Sequence, residues 1–119
     1  MATILIVDDS ATSRLLFKAH MPKDRPFQVV EADDLHSALQ KGTAHQPDLV
    51  FLDYNMPEKN GTDIAHALRE AGLDAAFFLL TANTQESVLE AAEAAGIQGI
   101  LEKPITAEKI QDVLQDSGV

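Results

Sequence analysis

The chain has no cysteine and no tryptophan, and a single tyrosine accompanies its five phenylalanines. Without cysteine there are no disulfides and no thiolate metal sites. Cationic side chains are also scarce, nine Lys and Arg against nineteen Asp and Glu, for a formal charge of −10. A surface this acidic repels phosphate backbones at long range, which disfavours direct nucleic-acid binding and favours basic proteins and divalent cations as partners. No apolar run approaches the length of a membrane span, and the first one, Ile4 to Val7, ends in two carboxylates without a basic stretch before it. Signal peptide and transmembrane helix are both excluded, and a cytoplasmic protein is expected. A Gly-rich phosphate loop, a Ser-centred elbow and a dinucleotide fingerprint are likewise missing. The four histidines, His20, His36, His45 and His66, have no metal-ligand spacing and read as surface residues, and the phenylalanines read as core.

What remains is a 119-residue chain with 45% apolar residues, enough for one ordinary core. Short apolar runs at Ile4–Val7, Val29–Val30, Leu49–Leu52, Phe77–Leu80 and Ile97–Leu101 read as five strands. Between and after them, Leu15, Leu16 and Ala19, then Leu35, Ala38 and Leu39, then Ile64, Ala65 and Leu68 recur at helical spacing. Val88, Leu89, Ala92 and Ala95 do the same, as do Ile110, Val113 and Leu114. Pro22, Gly42, Gly72 and Gly96 read as stops after the first four helices. Asn83, three residues before Glu86, resembles a capping box, and Thr106 an N-cap. Unbroken apolar strands need cover on both faces, so the alternation predicts an α/β fold, a parallel sheet between helices joined by right-handed crossovers. With no repeat, linker or low-complexity tract, residues 1–119 are expected to form a single domain.

Ligands of such sheets bind outside the carboxyl ends of the strands. The first run ends in Asp8-Asp9, the third in Asp53, the fourth in Thr81 and the fifth in Glu102-Lys103-Pro104. Two carboxylates about 5 Å apart at an effective dielectric near 20 repel by roughly 3 kcal/mol, so a third one nearby calls for a cation. Oxygen-only, negatively charged donors suit Mg2+. Taken alone, Asp8 and Asp9 could simply open a helix, Asp53 form a turn, and Lys103 and Thr81 lie at ordinary surface and strand-end positions. Their joint placement fits phosphoryl transfer instead. A carboxylate can carry the group as an aspartyl phosphate while a metal, an ammonium and a hydroxyl offset the charge on its oxygens.

Together, Ile6-Val7-Asp8-Asp9-Ser10, Leu52-Asp53-Tyr54-Asn55-Met56-Pro57, Gly61, Leu80-Thr81-Ala82 and Glu102-Lys103-Pro104 resemble the receiver domain of bacterial two-component response regulators, over residues 3 to 116. The resemblance implies a doubly wound, flavodoxin-like five-stranded sheet of order 2-1-3-4-5 flanked by five helices. It implies that Asp53 accepts a phosphoryl group from a sensor histidine kinase or phosphotransfer protein. It further implies that Asp9 and Asp53 ligate Mg2+ directly, Asp8 through water and Asn55 through its backbone carbonyl. Thr81 and Lys103 would engage the phosphoryl oxygens, Ala82 would leave access to the acceptor, and Lys103-Pro104 would be cis.

One position departs from the family. Ile100, three residues before Lys103, stands where many receivers place Tyr or Phe. It has no ring to swing inward, so the signal is expected to run through residues 81–83 and the fourth helix. The face made by the fourth helix, fifth strand and fifth helix carries Glu86, Glu90, Glu93, Glu102, Glu108, Asp112 and Asp116 and is the expected docking surface for a downstream protein. The expected function is that of a stand-alone, chemotaxis-regulator-like switch whose only chemistry is self-catalysed phosphoryl uptake and loss. A phosphorelay intermediate and the N-terminal receiver of a longer regulator are alternatives, as is a degenerate receiver that binds constitutively. A haloacid dehalogenase-like phosphatase would need an acid two positions after its nucleophile, where this chain has Asn55.

Overall fold

The computed structural model describes residues 1–119 as five strands alternating with five helices. In chain order these are β1 (Ala2–Val7), α1 (Ala11–Ala19), β2 (Phe27–Ala32), α2 (Leu35–His45) and β3 (Leu49–Asp53). There follow α3 (Gly61–Glu70), β4 (Ala76–Thr81), α4 (Glu86–Ala94), β5 (Gly99–Glu102) and α5 (Ala107–Asp116). All pairings are parallel, in the order β2-β1-β3-β4-β5, the doubly wound topology that the resemblance implies. The strands alternate their side chains between two cores. Leu5, Val7, Val50, Leu52, Phe77 and Leu79 pack with residues of α2, α3 and α4 on one face. Ile4, Ile6, Leu49, Phe51, Phe78, Leu80 and Leu101 pack with Phe17, Met21, Ile110 and Leu114 on the other. Phe51 is the centre of the second core, with the rings of Phe17 and Phe78 at 4.9 and 5.5 Å.

Three helices end alike. In α3, α4 and α5 a glycine of positive φ (Gly72, Gly96, Gly118) follows the last turn, and the next residue's amide returns to a carbonyl inside the helix: Leu73 to Leu68, Ile97 to Ala92, Val119 to Leu114. That closure also takes Ile97 out of the fifth strand, which begins only at Gly99.

Four expectations are corrected. Gly42 is no stop, since α2 runs on to His45 and ends at Gln46 in the left-handed conformation. Gly42 is instead buried where α2 meets Leu73, and a Cβ there would lie 2.8 Å from a Leu73 methyl. Asn83 does not cap α4: the N-cap is Gln85, without a side-chain bond, and the Asn83 side chain accepts from the Gln85 amide in the turn before it. The buried stripe of α1 is Phe17 with Met21, whereas Leu15 and Leu16 are 63% and 55% exposed. Finally, His20 is half-buried with Nδ1 2.7 Å from the Leu16 carbonyl. Phe27, beneath the Arg25 guanidinium, packs against the second core as expected. Thr106 does cap α5, accepting from the Lys109 amide. No helix is long and apolar enough to cross a membrane.

Candidate phosphoacceptor site

Only four polar or charged side chains are buried, Asp8, Asp53, Thr62 and Thr81, and three of them lie together at the carboxyl edge of the sheet. Asp8 follows β1, Asp53 ends β3 and Thr81 ends β4, so the three central strands deliver them side by side. Burying charge there is costly without partners. The partner of Asp53 is Lys103, just past β5, whose Nζ lies 2.7 Å from Asp53 Oδ1. The Lys103–Pro104 bond is cis, as the resemblance implies.

Asp8 and Asp9 do not open α1. Its N-cap is Ser10, whose side chain accepts from the Ser13 amide, and its first turn contains no acid. The two carboxylates are left in the strand-to-helix loop, where Asp8 Oδ1 accepts from the Ser10 amide at 2.9 Å. Burial raises the Asp8 pKa above the ordinary carboxyl value, and the charges of Asp53 and Asp9 push it further, against the Ser10 amide and Lys103. Asp8, Asp9 and Asp53 each offer a carboxylate oxygen within 4.8 Å of the others, one from an exposed and two from buried residues. Three hard oxygen donors with excess negative charge fit Mg2+. Asn55 follows two residues after Asp53 in the loop leading to α3, with its side chain exposed.

Gly61 sets the distance between that loop and the acceptor strand. A Cβ at this position would lie 2.7 Å from the Asp53 carbonyl and 2.7 Å from a Leu79 methyl, so the start of α3 approaches Asp53 only because residue 61 has no side chain. On the other side, the Thr81 hydroxyl is engaged with Asn83: it accepts from the Asn83 amide at 2.9 Å and donates to its carbonyl at 3.3 Å. Ile100 pairs with Leu79 and packs, half-buried, against the core that holds Val88 and Ala92 of α4. The acidic residues of α4, β5 and α5 are all exposed, while the Lys109 ammonium is bound to the Glu102 and Pro104 carbonyls.

Two site-forming residues had no signal in the apolar pattern. Arg14 donates from Nη1 to the Asp8 carbonyl at 2.7 Å, and Asn83 holds the Thr81 hydroxyl. Each acts through backbone groups, which sequence patterns do not display.

A doubly wound sheet with acids, a hydroxyl and an ammonium converging on one edge defines a class, and the match of residues 4–115 to the response regulator receiver domain makes the assignment: the chain belongs to that family. Receiver domains are phosphoacceptor switches that bind Mg2+ at an acidic pocket and interact with histidine kinases or phosphotransfer proteins and downstream targets. Among its relatives is the chemotaxis protein CheY of Bacillus subtilis, 32% identical over 111 residues that span 93% of this chain and 92% of that one. The sensor protein EvgS of Escherichia coli K12 is 35% identical over 109 residues, which cover 92% of this chain but only 9% of EvgS. The structure of Vibrio cholerae chemotaxis protein CheY4 superposes with a TM-score of 0.88 at 29% identity, covering 98% of both chains.

Proposed function

We propose that residues 1–119 form one phosphorylation-controlled binding switch, with Asp53 as the acceptor. The observation that carries this reading is the buried Asp53 carboxylate, held by Lys103 at 2.7 Å and within 4.8 Å of the Asp8 and Asp9 oxygens. Lys103 occupies Oδ1 and leaves Oδ2 as the nucleophile. As the Asp53 oxygen bonds to phosphorus, the phosphorus–nitrogen bond of the donor phosphohistidine breaks and the imidazole leaves with the electron pair. Asp8, Asp9, Asp53 and the Asn55 carbonyl are the groups that would hold Mg2+, which when bound neutralises charge between the carboxylates and the incoming phosphoryl oxygens. Lys103 stabilises a second phosphoryl oxygen and the Thr81 hydroxyl a third. In autodephosphorylation a water oxygen bonds to the same phosphorus as the bond from phosphorus to the Asp53 oxygen breaks, which returns the carboxylate and releases inorganic phosphate.

To donate to that oxygen the Thr81 hydroxyl must give up the bond it donates to the Asn83 carbonyl. Asn83 in turn holds the Gln85 amide at the start of α4, so phosphorylation is read through residues 81–85 and α4, without a ring at position 100. The phosphodonor docks on the exposed Leu15–Leu16 pair of α1, because Leu16 lines the groove, with Asp8 and Lys103, that leads to the site. The exposed acids of α4, β5 and α5 favour a downstream target with a basic surface, whose binding weakens with salt.

Similarity over nearly the whole length of CheY supports a chemotaxis-type regulator that acts by docking. A second reading, a phosphorelay receiver or the receiver of a longer regulator, is supported by the similarity to a small part of EvgS. Intact mass after incubation with acetyl phosphate is the test. A single Mg2+-dependent phosphoryl adduct, lost in Asp53→Ala, is expected. No adduct from acetyl phosphate or from a phosphorylated histidine phosphotransfer domain would overturn the proposal in favour of constitutive binding. Onward transfer to an unphosphorylated phosphotransfer domain would favour the relay.

A further inference from the structure

We infer that Arg14 is a positioning residue for the acidic site: its guanidinium fork ties the Asp8 carbonyl to Glu31 and so fixes the loop that aims Asp8 and Asp9. The inference rests on the reading of Asp8, Asp9 and Asp53 as a Mg2+ site. Arg14 lies one turn into α1, with its side chain only 17% exposed. Nη1 donates to the Asp8 carbonyl at 2.7 Å and Nε to Glu31 Oε1 at 3.0 Å. Asp8 stands just beyond the last residue of β1, where the sheet register with β3 ends at Val7 and Leu52. Its amide is held by the Ala32 carbonyl at 3.0 Å, and its side chain accepts from Ser10. The Arg14 fork takes the remaining backbone group, so that each polar group of Asp8 has a fixed partner.

Glu31 is built to hold that fork still. It sits on β2, takes Lys18 Nζ on its second oxygen at 2.8 Å, and has its own backbone carbonyl bound by Lys41. Lys18 and Arg14 together keep its carboxyl below the usual carboxylate range. The arrangement also resolves an electrostatic conflict. A bare cation beside a divalent metal site weakens metal binding, and pairing Arg14 with Glu31 offsets the charge while preserving the geometry. A fork suits this place, since one planar group donates to a carboxylate and a carbonyl in fixed directions, whereas an ammonium on a flexible stem fixes neither direction.

The two roles predict opposite signs. If Arg14 acted by charge alone, Arg14→Ala would tighten Mg2+ binding and Arg14→Lys would leave it unchanged. As a positioning residue, its loss weakens the site in both variants, by about tenfold, as is usual when a group orienting metal ligands is removed. The experiment is calorimetric titration of MgCl2 into wild type, Arg14→Ala, Arg14→Lys and, as a charge control outside the Glu31 network, Lys23→Ala, with metal-free melting of each as the folding control. A rise in Kd of about tenfold in both Arg14 variants, with Lys23→Ala unchanged or tighter, is expected. An unchanged or lower Kd in either folded Arg14 variant overturns the inference, including the case in which melting temperature falls while Kd holds. Should Arg14→Ala fail to fold, Arg14→Lys, which keeps the stem and charge, decides alone. Absence of Mg2+ binding in folded wild type would overturn the metal-site reading itself, and the inference with it.

Discussion

Replacing Asp8 by Asn removes one charge from the acidic cluster and keeps an oxygen to accept the Ser10 amide. With the oxygens within 4.8 Å of one another, the bare Asp8–Asp53 repulsion at an effective dielectric of 20 is at least about 3.5 kcal/mol. Lys103, bonded to Asp53, offsets most of it. Asp9 is exposed and adds less than about 1 kcal/mol at a dielectric near that of water. The metal-free variant is therefore expected to be more stable by about 1–2 kcal/mol at pH 7, or roughly 3–8 °C in melting temperature for a domain of this size. The sign with pH follows from the raised Asp8 pKa. A carboxyl that binds its proton more tightly in the folded state costs nothing below the unfolded value of 3.8, costs progressively more as pH rises from there to the folded pKa, and costs a constant amount above it. The gain from Asn should be full at neutral pH and vanish toward pH 4. Urea unfolding in EDTA at several pH values measures it directly, and millimolar Mg2+ should reverse the order by stabilising wild type more than the variant. A variant less stable than wild type at pH 7 without metal, or a gain independent of pH, would refute the electrostatic account of the site.

Asp9→Ala should likewise lose the Mg2+-dependent rise in melting temperature, which thermal scans with and without the ion would reveal. Gly61→Ala must push the start of α3 away from the Asp53 carbonyl, and should cost about 1–3 kcal/mol in urea unfolding. Thr106→Ala, which removes the α5 cap, should cost about 1 kcal/mol with phosphoryl uptake from acetyl phosphate unchanged.

The strands were legible because buried parallel strands are unbroken apolar runs, and the residues that end those runs are where such sheets place their chemistry. Asp8, Asp53, Thr81 and Lys103 thus stand out together in the sequence alone. Strand order could not be read from periodicity, and came only with the family resemblance. Helix faces were less legible. In α1, Leu15, Leu16, Phe17 and Ala19 spread over most of the circumference, and what decides the buried side is that the Phe17 ring packs tilted against Phe51, a contact 34 positions away. Gly42 reads as a stop because glycine ends many helices, yet here it lies inside α2 with a Leu73 methyl packed where a side chain would stand. The Arg14 fork was invisible for a different reason, since it binds a main-chain group that every residue shares, and Asn83, legible as a helix cap, binds instead in the turn before the helix.

The attachment of α4 is unequal at its two ends. Its far end is closed by Gly96 and clamped by Arg69, which donates to the Ala95 and Gly96 carbonyls and lies 4.7 Å over the Phe77 ring. The near end, beside Thr81, has an N-cap without a side-chain bond. Nine residues at 1.5 Å each make a rod about 13 Å long. Were that rod to tilt by about 10° about Arg69, the end beside Thr81 would travel roughly 2 Å while the clamped end stayed in place, the geometry of a lever whose long arm begins at the chemistry.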